Sequence, residues 1–130
     1  MIGLDTSAII DIFKGKESLK KFLEENNEPL AVTTLSYLEL FFGLDLKNQK
    51  HMIEAKYYKE LFSEMLNLNL TMKSCEEASR IFWHLREQGK TIGQFDCVIS
   101  AILIQNGINK ILTSNGKHFR NIKELKVIEY

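Results

Sequence analysis

A single proline, Pro29, stands in this 130-residue chain, so little interrupts regular structure. The two cysteines, Cys75 and Cys97, lie far apart with no CxxC spacing, which argues against a disulfide framework or a zinc ribbon. We read both as reduced and buried. No run of about 18 apolar residues is present, which excludes a transmembrane helix. The opening Met1-Ile2-Gly3-Leu4-Asp5 has no basic stretch and reaches an acid at once, so no secretory signal and a cytoplasmic location are expected. An excess of charge is also missing: 17 basic residues face 17 acidic ones. Proteins that grip duplex nucleic acid along its backbone are usually strongly basic. Any nucleic-acid contact here must therefore be short and local. HExxH, GxGxxG and Walker patterns are all absent, and His51, His84 and His118 show no metal-ligand spacing.

What the sequence does contain is an alternation of short β-like runs and helical runs in one domain spanning 1–130, without linker, repeat or low-complexity tract. Strands are expected at Met1 to Leu4, Leu30 to Thr33, Leu68 to Thr71, Lys110 to Thr113 and Val127 to Glu129. Helices are expected at Thr6 to Phe13, Glu17 to Asn26, Ser36 to Phe42, Gln49 to Leu66, Ser74 to Gln88 and Gln94 to Gln105. In the fourth, Ile53, Tyr57, Leu61, Phe62 and Met65 form the expected apolar face. The fifth reads as opening on a capping box at Ser74-Cys75-Glu76-Glu77. The last is apolar on nearly all sides. Such a helix fits a three-layer α/β/α sandwich with a central parallel sheet, packed hard against that sheet.

Ligands of open parallel sheets bind beyond the carboxyl ends of the strands. Asp5 follows the first strand, and Glu39 lies about a turn into the helix after the second. Asp96 lies in the first turn of the apolar helix, and Thr113, Ser114 and Asn115 follow the fourth strand. Clustered oxygen donors suit Mg²⁺ or Mn²⁺, hard ions that keep several waters. Each residue also has a plainer role. Asp5 could be a helix N-cap, Glu39 the acid of a capping box with Ser36, Asp96 a complement to the helix dipole, and Asn115 a loop residue. A lone charge entering the apolar helix at Asp96 is costly without a partner. His118 and Lys117, just after Asn115, are placed equally well for a solvated loop or for contact with a phosphate.

Four segments in order carry a likeness to a known family: Ile2-Gly3-Leu4-Asp5-Thr6-Ser7-Ala8-Ile9-Ile10, Thr33-Thr34-Leu35-Ser36-Tyr37-Leu38-Glu39-Leu40-Phe41-Phe42-Gly43, Ile92-Gly93-Gln94-Phe95-Asp96-Cys97-Val98-Ile99-Ser100-Ala101, and Leu112-Thr113-Ser114-Asn115-Gly116-Lys117-His118-Phe119. Together they resemble the PIN-domain family, and within it the VapC-type toxin ribonucleases. The resemblance implies an α/β/α sandwich and a Mg²⁺- or Mn²⁺-dependent endoribonuclease that hydrolyses RNA phosphodiesters. By position Asp5, Glu39 and Asp96 match the family's first three acids, as metal ligands and catalytic residues. Asn115 falls where many members have an aspartate, which removes one charge and leaves open a weak or inactive RNA- or protein-binding module. A cognate antitoxin and a homodimer are implied as well. Phe41, Phe42, Leu44 and Leu46 offer apolar surface for such partners, and Trp83 lies one position off its helix's apolar stripe. A phosphate-receiver domain is a third reading, weakened because Asp5 has no adjacent acid.

Overall fold

The computed structural model describes residues 1–130. The chain runs β1 (Ile2–Leu4), α1 (Thr6–Lys14), α2 (Glu17–Glu25), β2 (Leu30–Thr33), α3 (Thr34–Phe42), α4 (Gln49–Glu64), β3 (Leu66–Leu68), α5 (Met72–Glu87), α6 (Gln94–Gln105), β4 (Lys110–Leu112), α7 (Gly116–Phe119) and β5 (Lys126–Ile128). The five strands form one sheet in the order β3-β2-β1-β4-β5, and every pairing is parallel. β1 is the central strand, and this is the three-layer α/β/α sandwich the alternation implies.

Strand side chains alternate between the two faces. Ile2, Leu4, Val32 and Leu112 join the core beneath α1, α2 and α4, with Ala8, Ile9, Leu19, Tyr58 and Phe62. Ala31 and Ile111 point the other way, into the core beneath α5 and α6, with Ile81, Leu85, Ile99, Ile102 and Leu103. Gly3 faces this second core. A Cβ there would stand 2.5 Å from both methyl carbons of the fully buried Leu103. The glycine lets α6 lie close against β1. Because α6 sits between the sheet and α5, six of its residues from Cys97 to Leu103 are buried, which explains its all-round apolarity.

Several local expectations are corrected. Helix α5 opens earlier than expected: Thr71 is its N-cap, and the capping box joins Thr71 to Ser74, its third residue. Helix α3 likewise starts at Thr34 on the N-cap Thr33, whose hydroxyl accepts from the Ser36 N–H. Either Thr or Ser could have filled these caps, since both types stand three residues apart. Helix α4 ends at Glu64, and β3 occupies Leu66–Leu68 instead of Leu68 to Thr71. The Phe62 carbonyl accepts from the Met65 N–H and the Asn67 amide, which also donates to the Met65 carbonyl and so caps the helix end. The buried face of α4 is Ala55, Tyr58 and Phe62, while Ile53 is exposed. Cys97 is buried as expected, but Cys75 is exposed. Helix α7 was not anticipated from the sequence; buried Phe119 anchors its single turn.

Candidate active site

Sheet register builds the first half of the site. Leu4 pairs with Leu112, so Asp5 and Thr113 are the next residues out on adjacent parallel strands. The ladder continues into them: the Asp5 N–H donates to the Leu112 carbonyl at 3.2 Å, and the Thr113 N–H donates to the Ile128 carbonyl at 3.0 Å. Both side chains are buried, Thr113 completely and Asp5 to within 4% of its surface. The Thr113 hydroxyl donates to Asp5 Oδ2 at 2.6 Å. The other oxygen, Oδ1, accepts from the Ser7 hydroxyl at 2.7 Å and the Ala8 N–H at 2.9 Å. Asp5 is therefore the N-cap of α1, as one of the two readings had it. Capping requires only one oxygen and no charge. It does not account for a buried carboxylate with other acids nearby.

Those acids come from α3 and α6. Glu39 lies in the second turn of α3, beyond its capping residues, so the capping-box reading with Ser36 is excluded. Its Oε1 accepts from the Thr6 hydroxyl at 2.5 Å, a contact from the first residue of α1. Asp96 lies in the first turn of α6, which packs against both α3 and β2. Its Oδ2 stands 3.1 Å from His118 Nδ1 of α7. Gly93, Gln94, Phe95, Asp96 and Glu39 line one open depression. Thr91, Ile92, Gly93, Asp96 and His118 line a second beside it.

The electrostatics tie the three acids together. Burial raises the Asp5 carboxyl above its ordinary value; its three hydrogen-bond donors oppose this, and the Glu39 charge reinforces it. Burial also raises Asp96; His118 opposes that shift, while Glu39 and Asp5 reinforce it. No Lys or Arg forms an ion pair with Asp5, Glu39 or Asp96. Every other buried or half-buried acid in a strong contact has such a partner or a phenol: Asp11 meets Lys16 and Tyr130, and Glu77 meets Arg80. The site acids are thus brought to one end of the sheet without a Lys or Arg from the chain to compensate them.

That donor set fits a hard divalent cation in chemistry, being carboxylate and hydroxyl oxygen without competing Lys or Arg. As the side chains stand, no group of three His, Cys, Asp or Glu residues is close enough to chelate one ion. The Asp5, Glu39 and Asp96 oxygens are instead engaged by Thr113, Ser7, Thr6 and His118. Asn115 contributes less directly. Its side chain is exposed and caps nothing, and its N–H donates to the Thr113 hydroxyl at 2.9 Å. The hydroxyls of Thr6 and Ser7 were not anticipated as parts of the site. Their signal was present: they follow Asp5 directly, where the chain turns from strand to helix.

A parallel α/β/α domain with an oxygen-lined acidic site beyond its central strand defines the class of this protein. The chain belongs to the PIN-domain family, whose model matches residues 2–125. Its fold is similar to VapBC2 from Rickettsia felis, solved bound to a promoter DNA fragment, with 23% identity, 100% of this chain and 99% of that chain covered, and a TM-score of 0.84. It is similar to DNA-bound VapBC from Salmonella typhimurium, with 19% identity, 98% and 96% covered, and a TM-score of 0.83. It is also similar to VapC20 from Mycobacterium tuberculosis, described as a sarcin-ricin loop cleaving toxin, with 16% identity, 85% and 87% covered, and a TM-score of 0.64. Identities this low speak to the fold. A search of curated proteins returns no match.

Proposed function

We propose that this chain is a divalent-cation-dependent endoribonuclease and the toxin of a toxin–antitoxin pair. The observation that carries this reading is the set of three acids, Asp5, Glu39 and Asp96, gathered at the carboxyl end of the sheet with no Lys or Arg partner. Solved structures of this fold described as a toxin–antitoxin complex and as a member of the VapBC family of toxin–antitoxin systems support it, as does one described as a sarcin-ricin loop cleaving toxin.

In this reading Asp5, Glu39 and Asp96 hold Mg²⁺ or Mn²⁺. When bound, the ion supplies a more acidic water and offsets charge building on a phosphate. The chain's own residues do the rest. Thr113, Ser7 and the start of α1 fix Asp5 from three directions, and Thr6 fixes Glu39. The two depressions flanking Asp96 give a strand of RNA room to lie across the acids. Asn115 puts an exposed neutral amide after Thr113, where many members of the family carry a fourth acid. The antitoxin and a second copy of the chain are the proposed protein partners, and the cytoplasm the proposed location. Exposed Phe42, Leu46 and Trp83 offer apolar surface for the two protein contacts.

The test is cleavage of a mixed RNA pool by purified protein with Mg²⁺ or Mn²⁺. Cleavage should vanish with EDTA and in Asp5→Asn and Asp96→Asn proteins that keep the wild-type circular dichroism. Full cleavage by Asp5→Asn in EDTA would end the proposal. An absence of cleavage with RNA binding retained would favour a non-catalytic binding module, to which the exposed Asn115 points.

A further inference from the structure

Two of the three site acids share a pattern. Asp5 is oriented by the Thr113 hydroxyl from another strand, and Glu39 by the Thr6 hydroxyl from another helix. Asp96 has no hydroxyl neighbour and no side-chain contact from its own helix. Its one orienting contact is His118 Nδ1 at 3.1 Å, from α7. We propose that His118 is the positioning residue of Asp96: its ring nitrogen meets Oδ2 and sets how the carboxylate faces the site. This inference rests on the metal-dependent reading above.

The fold is built to make that contact stiff at both ends. Asp96 stands on a helix whose following residues are buried, and its carbonyl accepts from the Ser100 hydroxyl at 2.7 Å. His118 sits between Gly116 and Phe119, both buried, on a turn whose first carbonyl accepts from the Arg120 N–H. The same turn is anchored to Asp5 through the backbone of Asn115 and the Thr113 hydroxyl. One short segment, Thr113 to His118, therefore sets two acids at once. Hydrogen-bond partners that orient a metal ligand typically change ion affinity by about 10- to 100-fold when removed.

Two measurements on the full chain test this. Long-range ¹H–¹⁵N correlation spectra of the metal-free protein should show the His118 ring nitrogens shifted by Asp96→Asn. Calorimetric titration with Mn²⁺ should show about tenfold weaker binding in His118→Ala. His118→Asn, whose amide nitrogen can stand near Nδ1, should recover most of that loss. RNA cleavage by His118→Ala should fall, and added Mn²⁺ should restore it. If wild type binds Mn²⁺ and His118→Ala binds it equally or more tightly, His118 does not position Asp96, while the site itself stands. If wild type binds no Mn²⁺, the metal-dependent reading fails and this inference fails with it.

Discussion

Replacing Asp5 by asparagine and by alanine separates the charge of this residue from its hydrogen bonds. Both substitutions remove the negative charge. Asparagine keeps an oxygen for the Ala8 N–H, and its amide nitrogen can donate to the Thr113 oxygen, whose own proton then turns to the Ser7 oxygen 3.3 Å away. Alanine keeps neither. Loss of an N-cap costs about 1 kcal/mol. Losing every hydrogen bond between residue 5 and the fully buried Thr113 hydroxyl costs about 1–3 kcal/mol more. Alanine should therefore be less stable than asparagine by about 2–4 kcal/mol. For a chain of this length the unfolding entropy is about 0.27 kcal/mol/K, so the gap in Tm should be about 7–15 °C. Asparagine should match or exceed wild type in EDTA at pH 7, because it removes a buried charge that repels Glu39. The assay is thermal unfolding followed by circular dichroism. If asparagine falls as far as alanine, the charge itself supports the fold, and the picture of a strained acidic site is wrong.

Further outcomes follow from the same geometry. In EDTA, Asp5 and Asp96 titrate above their ordinary value of 3.8 when folded, so their contribution to stability is full below that value and lost as pH rises through the raised folded values. Metal-free wild type should thus gain stability relative to Asp96→Asn as pH falls from 7 towards 4 in urea titrations; the opposite slope would contradict burial as the cause. Asn115→Asp should bind Mn²⁺ more tightly by calorimetry, since it restores a negative charge at the rim; unchanged affinity would place residue 115 outside the ion's reach. Gly3→Ala should destabilise by about 1–3 kcal/mol by pressing on Leu103, and the cost should shrink in a Leu103→Ala background. Equal costs in both backgrounds would show that the strand moves to make room.

The sheet and most helices were legible because their signals are long and redundant. The run from Phe95 to Ile104, apolar on nearly all sides, fits a helix packed hard against the sheet, and six residues of that helix are buried. Asp5, Glu39 and Asp96 could be read together because Asp5 follows a strand, Asp96 opens a helix, and Glu39 lies early in the helix after the second strand, all at the same end of the sheet. What failed were the positions at which two residues compete for one role. Thr33 and Ser36, and again Thr71 and Ser74, are each pairs of hydroxyl residues three apart, and only the backbone shows which one caps. On α4, Phe62 is buried and Tyr57, Leu61 and Met65 pack against the same core, as the spacing implied; only Ile53 is exposed, and Tyr58, outside the expected set, is buried. Helix α7 is too short for periodicity to reveal. The partner of Asp96 was missed for a related reason: His118 is 22 residues away in sequence, and tertiary packing alone joins them.

The central claim is that three separate elements bring oxygens to one cation. Crystals grown with saturating Mn²⁺ and measured for anomalous scattering test it most directly. The expected result is a manganese peak within coordinating distance of carboxylate oxygens from Asp5, Glu39 and Asp96, and no such peak in crystals of Asp96→Asn. A peak bound elsewhere on the molecule, or an empty acidic site at saturating ion, would contradict the account.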